Sequence, residues 1–103
     1  MDEFIDVEIE RLNWDDWNRE HIARHGVTSA EVTEVIAGNS VVRRSPLKNR
    51  LIVIGPTFAG RMLKIVIGPD PRAPGIFYTF TAHPASRQER RKYQESIQGD
   101  DPS

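Results

Sequence analysis

Residues 51–82 read LIVIGPTFAGRMLKIVIGPDPRAPGIFYTFTA, and this stretch decides the fold. Three runs in it are rich in β-branched and aromatic residues and have the length of strands. They cover residues 51–54, 62–67 and 76–82. Turn-forming residues separate the runs at 56–60 and again at 69–75, where three prolines and a glycine form a rigid loop. The first two runs are almost continuously apolar, which predicts central strands.

Two helices are expected before these strands. The first has a cap at Asn13 or Asp15 and extends to about His25. The sequence TSAE at 28–31 is a capping box, which opens a second helix that Gly38 ends. Apolar residues of this second helix fall on one face, as in a helix that packs against a sheet.

The two ends of the domain add a strand and a helix. Val7, Ile9 and Arg11 alternate with neighbouring residues, which predicts an opening strand. A second capping box at 86–89 opens a final helix that extends to about Ile97.

The order of these elements predicts an α+β fold: a strand, two helices, an antiparallel sheet of three to four strands that includes residues 41–42, and a C-terminal helix. A chain of 103 residues makes one domain, which we expect over 1–98, with a disordered tail at 99–103. The absence of cysteine excludes disulfides and thiolate metal sites. Without a signal peptide or an apolar run of membrane length, we expect a cytoplasmic protein with no membrane contact.

Charge is sorted along the chain. The first 40 residues hold three Arg against ten Asp and Glu, a net charge of −7. Residues 41–98 hold eleven Lys and Arg against three acids, a net charge of +8, and two Asp in the tail bring the total to −1. This pattern indicates an acidic half and a basic half with different partners. Attraction between the halves within the fold is the alternative, but surface ion pairs stabilise proteins little.

Lys64 is the most informative residue of the basic half, because it interrupts an apolar strand. Strand alternation places Lys64 on the face of Met62 and Val66, and Arg61 on the opposite face. A lysine in this position has three alternatives: its ammonium group extends to water, it pairs with an acid, or it faces a ligand groove. Protection of an edge strand is a further alternative. The basic set on the strands and their turns is Arg43, Arg44, Lys48, Arg50, Arg61 and Lys64.

A second basic segment follows the last strand. His83 ends that strand, and the helix N-terminus after it offers free N–H groups and positive potential to a phosphate. Arg87 and Arg91 share a helical face, and Arg90 lies near its edge. We interpret this segment as a contact for phosphate or RNA. A solvated, charged helix end is the alternative.

His21 and His25 stand four residues apart on the first helix, a spacing that can bind a metal. The third ligand would have to be His83. Half-buried histidines packed beside Trp17 are the favoured interpretation, because a metal site needs a full ligand set. No nucleotide-binding loop, catalytic triad or paired-carboxylate motif is present, so we expect no cofactor and no metal.

Three groups of residues, in this order and spacing, resemble BrnT-type toxins over about residues 12–96. They are LNWD at 12–15 with HIARHGV at 21–27 and EV at 31–32; GRML at 60–63; and TAHPA at 81–85 with ERR at 89–91 and Tyr93. The chain departs from the family pattern at His83, where members usually have Arg, and at His21, where many have Asn.

This resemblance implies a RelE-like fold and a bacterial toxin of a type II toxin–antitoxin system, which cleaves messenger RNA as a metal-independent endoribonuclease. It also implies a small antitoxin of the ribbon-helix-helix type, encoded nearby. The expected assemblies are a homodimer or a toxin–antitoxin heterotetramer. A non-catalytic module of the same fold that binds RNA or protein is the alternative, and a metal or small-molecule domain built on His21 and His25 is a third.

Cleavage of RNA requires a base, an acid and a cation for the phosphorane. We expect Arg61 and Lys64 to stabilise phosphate charge and His83 to act as acid or base. Tyr93 is expected in the core, with its hydroxyl reaching the site. The predicted catalytic residues are thus Arg61, Lys64, His83 and Tyr93. The predicted RNA-binding residues are Arg50, Arg87, Arg90 and Arg91.

Overall fold

The computed structural model describes residues 4–71 and 74–98. In chain order, its elements are β1 (Phe4–Ile5), β2 (Arg11–Asn13), α1 (Asp16–Ala23), α2 (Ser29–Ala37), β3 (Val41–Arg44), β4 (Leu51–Pro56), β5 (Met62–Pro69), β6 (Ile76–Pro84) and α3 (Arg87–Gln98). The α+β class is confirmed, as are both helices before the strands and the helix after them. The predicted disorder at 99–103 concerns residues outside the described ranges.

The sheet has six strands in the order β1-β3-β4-β5-β6-β2. β3 to β6 form an antiparallel meander, as predicted from their apolar runs and the turns between them. At these turns Asn49 and Gly60 adopt positive φ angles of 61° and 90°, conformations that asparagine and glycine tolerate. The sheet is wider than the predicted three to four strands, and it is mixed, because β2 runs parallel to β6.

The opening segment differs from the prediction of a single strand over Val7, Ile9 and Arg11. It forms two short strands, β1 beside β3 and β2 beside β6, at opposite edges of the sheet. Residues 6–10 between them are outside the ladder. Val7 and Ile9 are half-buried and pack against the main core, so their alternation reflects packing rather than strand pairing.

The two faces of the sheet carry different layers. α1 and α2 cover one face, where Ile22, Val32 and Val35 pack against Val53 and residues of β5. α3 covers part of the other face, where Tyr93 packs with Ile52 and Ile54. Alternation along β5 accounts for this division: Leu63, Ile65 and Ile67 are fully buried under α1 and α2, and Met62 and Val66 pack on the α3 side.

Capping residues set where each helix begins. Asp15 caps α1, and Thr28 caps α2 with the predicted capping box to Glu31. The predicted capping box of α3 is also present, since Ser86 and Glu89 exchange bonds of 2.8 and 3.1 Å. Gly26, with a φ of 76°, turns the chain between α1 and α2. Among the helices described, none is long and apolar enough to cross a membrane.

Candidate functional site

The antiparallel register places Lys64 of β5 directly opposite His83 of β6. Residues paired in this way project from the same face of a sheet, with Cβ atoms about 5 Å apart. Lys64 lies on the α3 side, between Met62 and Val66 along its strand. Two predicted catalytic residues are therefore neighbours, although 18 residues separate them in the chain.

Lys64 pairs with Glu89, the first acid of α3. Its Nζ lies 3.0 Å from Glu89 Oε2, and the two side chains are only 23% and 15% exposed. Of the four explanations for a lysine in this strand, pairing with an acid is observed, and edge protection is wrong because β5 lies between β4 and β6. The interpretation of Glu89 as a cap residue is also confirmed, since one of its oxygens accepts from the Ser86 N–H and the other binds Lys64.

Glu89 remains ionised at this position. Burial raises the pKa of its carboxyl, but the Ser86 N–H and the Lys64 ammonium stabilise the charged form more strongly and hold the pKa below the ordinary 4.5. The pair therefore presents a fixed ammonium beside His83 with its counter-charge on the helix.

The protonation of the His83 ring follows from its contact with the backbone. Nδ1 lies 3.0 Å from the carbonyl oxygen of Pro84, and a carbonyl can only accept a hydrogen bond. Nδ1 therefore carries the proton in the neutral ring, and Nε2 has the lone pair. Half-buried, and with this tautomer, His83 can accept a proton from a bound ligand.

Two rings of α1 and one from the turn after it continue from His83 in a column. His25 lies 5.8 Å from His83 between ring centroids, His21 lies 5.6 Å from His25, and Trp17 lies parallel to His21 at 4.9 Å. His21 is half-buried against Trp17, as the packed-histidine interpretation predicts, but His25 is exposed and the interpretation is wrong for it. Over residues 4–71 and 74–98, no group of three or more His, Asp and Glu side chains is arranged to hold a metal ion.

Arg61 faces away from Lys64, as strand alternation predicts. Its Nη1 donates to the Gly26 carbonyl at 2.8 Å and lies 3.0 Å from Glu31 Oε2. The Thr28 N–H and this guanidinium outweigh burial and lower the pKa of Glu31. Arg61 thus connects the β4–β5 turn to the junction of α1 and α2, and these contacts give it a structural role.

Arg50 lies over an aromatic ring on the α3 side of the sheet. This ring precedes His83 in β6. Its guanidinium carbon is 3.6 Å from the centroid of Phe80, and Tyr78 meets Phe80 edge to face at 5.2 Å. A Cβ on Gly68 would come within 2.7 Å of Phe80, so glycine is what lets the ring lie against the strand. Arg43 also contributes to this face, and its buried Nε has no partner.

The remaining predicted site residues lie on α3. Tyr93 is buried, and its hydroxyl donates to the Asn39 carbonyl at 2.5 Å, so this hydroxyl is held by the backbone. Arg87, Arg90 and Arg91 are exposed.

Sequence reasoning missed the second role of Glu89 and the position of Phe80 under Arg50. A signal for the first exists: Lys64 needs a partner, and the +8 half of the chain offers only three acids. Phe80 has no comparable signal, because its strand carries a register shift opposite Val66 and Ile67 that simple alternation does not predict.

Exposed charges follow the division seen in the sequence. Among residues 4–40, the exposed acidic side chains lie in the opening segment, at the N-cap of α1 and on α1: Asp6, Glu8, Glu10, Asp15, Asp16 and Glu20. Among residues 41–71 and 74–97, the exposed cations lie on the β3–β4 hairpin and on α3: Arg44, Lys48, Arg87, Arg90 and Arg91.

No protein-family model, curated protein or solved structure matches the chain.

Proposed function

We propose that the protein is a metal-independent endoribonuclease with a RelE-like fold, and that it acts as the toxin of a type II toxin–antitoxin system. The observation that carries the proposal is the juxtaposition of Lys64 and His83 on adjacent strands, with Glu89 bound to Lys64. A fixed cation beside an imidazole supplies the two kinds of group that metal-free cleavage of RNA requires.

The proposed reaction is attack by a ribose 2′-hydroxyl on the adjacent phosphorus. Nε2 of His83 accepts the hydroxyl proton while the 2′-oxygen bonds to phosphorus. The Lys64 ammonium stabilises the charge that develops on the phosphorane oxygens. The bond to the 5′-oxygen breaks, this oxygen takes a proton from water, and the protonated His83 returns its proton to that water, leaving a 2′,3′-cyclic phosphate and a 5′-hydroxyl.

The surrounding cations account for binding of the RNA backbone. Arg87 and Arg91 lie on the helix that begins beside His83, and both are exposed. Arg50 offers a guanidinium already stacked on a ring, a geometry that suits contacts with phosphates and bases. Because Arg61 is engaged by Gly26 and Glu31, we now assign it a positioning role rather than a catalytic one.

The proposal includes a protein partner, an antitoxin of the ribbon-helix-helix type in the bacterial cytoplasm, in a heterotetramer with the toxin. Three large apolar side chains outside α1 support such a partner, because they are more than half exposed: Leu47, Phe58 and Ile97. A homodimer, the alternative assembly, would bury these same three side chains.

The test is cleavage of a labelled single-stranded RNA in the presence of a metal chelator. We expect wild-type protein to cleave it, and His83→Ala to lower the rate by about 100-fold or more, the usual contribution of a general base. Lys64→Met should have a similar effect, and Lys48→Met, an exposed lysine on the β3–β4 turn, serves as the matched control. Intact RNA with folded wild-type protein would overturn the nuclease assignment.

The second candidate is a non-catalytic RNA-binding module. The stacked Arg50 and Phe80 favour it, because an arginine on an aromatic ring is a kind of contact that holds single-stranded RNA without chemistry. Salt-dependent RNA binding that Arg50→Ala weakens, with no cleavage by wild-type protein, would establish this function instead.

A further inference from the structure

Trp17 is an exposed tryptophan that the core does not use. It is 57% exposed, whereas Ile22 on the same helix is fully buried. Its indole is nevertheless held in place, because it stacks on His21 with an angle of 6° between the ring planes. A large ring that is both exposed and fixed in orientation is pre-organised to receive a second flat group.

The column of rings connects Trp17 to the proposed reaction centre. Successive centroids are 4.9, 5.6 and 5.8 Å apart from Trp17 through His21 and His25 to His83. His83 lies opposite Lys64. A few nucleotides of extended RNA can follow this path, so a base at Trp17 and a phosphate at Lys64 can belong to one strand.

The surroundings of Trp17 do not resemble the apolar core of a protein interface. Its neighbours Asp16 and Glu20 are exposed and charged, so Trp17 is not the centre of an apolar patch of the kind that protein interfaces bury. These two acids repel phosphates, so the contact that Trp17 offers to RNA is with a base rather than with the backbone. Arg24, at the C-cap of α1 two helical turns away, is exposed and can contact a phosphate farther along the strand.

We propose that Trp17 and His21 form a stacking platform for one unpaired base of single-stranded RNA, on the strand whose scissile phosphate lies at His83 and Lys64. This proposal rests on the proposed function and deepens it, because it names the residues that hold an unpaired base of the substrate. A duplex does not present an unstacked base to this platform.

The test is binding of a short 2′-O-methyl oligoadenylate, which has no free 2′-hydroxyl and is not cleaved. In a Trp14→Phe background, in which Trp17 is the sole tryptophan, we expect the oligonucleotide to quench the fluorescence of Trp17. Trp17→Leu should weaken its binding about tenfold or more, and Trp17→Tyr should retain most of it. The same sequence built from abasic nucleotides should show little quenching. Thr33→Ala, which changes an exposed residue of α2, is the control.

The outcomes separate the two proposals. If Trp17→Leu binds the oligoadenylate as tightly as wild type, or if the abasic strand quenches equally, the stacking platform is wrong whatever the nuclease assay shows. If binding depends on Trp17 but wild-type protein leaves ordinary RNA whole, the platform is supported and the nuclease assignment fails. Thermal melting of each variant checks that the fold is retained.

Discussion

Lys64 and Glu89 show how one ion pair serves both the fold and the proposed chemistry. Each group is largely covered by neighbouring atoms, so each costs free energy to desolvate, and their attraction offsets that cost only while both are present. Removing one partner leaves the other charge half-buried and alone. A variant of Lys64 or Glu89 therefore needs a stability measurement beside its activity measurement.

This pair leads to a prediction about acid stability. The folded protein holds the pKa of Glu89 below 4.5, so ionised Glu89 stabilises the fold above that pH. The contribution is lost as the pH falls through the folded-state pKa. Glu89→Gln should therefore be less stable than wild type at pH 7, and the difference between the two proteins should shrink at lower pH. Urea denaturation at pH 7 and at stepwise lower pH measures both effects.

The control for this prediction is Glu95→Gln, which changes an exposed acid on the same helix. If both variants lose the same stability at pH 7 and respond alike to acid, the contribution of Glu89 does not come from its contacts with Lys64 and Ser86.

At the residue scale, the sequence identified Lys64 and His83 as unusual. It did not indicate which residues each of them contacts. Lys64 attracts notice because a charge interrupts an apolar run, which is local information. Its partner Glu89 lies in the next helix, and His83 becomes its neighbour only through the register of β5 against β6. Register depends on side-chain packing over the whole sheet, which no short stretch of sequence specifies.

At the element scale, α3 begins at a capping box that also positions a site residue. Ser86 accepts from the Glu89 N–H, and Glu89 bonds back to the Ser86 N–H while it holds Lys64. α2 begins at the same device, built from Thr28 and Glu31, on the opposite face of the sheet. The two caps are thus a natural pair for comparison.

Ser86→Ala and Thr28→Ala should each lower the free energy of unfolding by about 1 kcal/mol, because each removes the side-chain acceptor of a helix cap. Only Ser86→Ala should also slow RNA cleavage by more than this loss of stability explains, since it frees the residue that holds Lys64. Denaturation curves and initial cleavage rates measure the two effects. Equal cleavage rates in the two variants would show that the α3 cap is purely structural.

Caps and apolar runs were the most predictable elements, because their signals are local. All three caps and the four strands of the meander lie where the sequence indicates. The opening segment was wrongly predicted because alternation at Val7 and Ile9 is equally compatible with a strand and with a segment packed over the core. Only the tertiary structure distinguishes these two outcomes.

On the scale of the whole molecule, the near-neutral chain carries separate acidic and basic regions. The opening segment and α1 present mostly acids, and the β3–β4 hairpin and α3 present mostly cations. The RNA proposals have the strand come from the basic side, where Arg87 and Arg91 contact it, pass Lys64, and end on Trp17 of α1, where the contact is with a base. The total charge of −1 conceals this arrangement.

The charge arrangement predicts strong salt dependence of RNA binding. The logarithm of the binding constant should fall linearly with the logarithm of salt concentration, with a slope of about −0.7 for each phosphate neutralised. Replacing Arg87 and Arg91 with Gln should reduce the slope by about 1.4, and Arg19→Gln on α1 should leave it unchanged. Titrations at several salt concentrations with the uncleavable oligoadenylate measure the slopes. An unchanged slope in the α3 variant would place the RNA elsewhere.

The two edge strands have a consequence for the timing of synthesis. β2 is made well before its partner, residues 76–78, and β1 is made before its partner, residues 42 and 43. At about 5–20 residues per second, the chain waits several seconds between making β2 and making its partner. Glu89 emerges later still, so Lys64 gains its counter-charge only when nearly the whole domain has left the exit tunnel. In terms of the proposed function, Lys64 therefore lacks its counter-charge in any nascent chain in which α3 has not yet emerged.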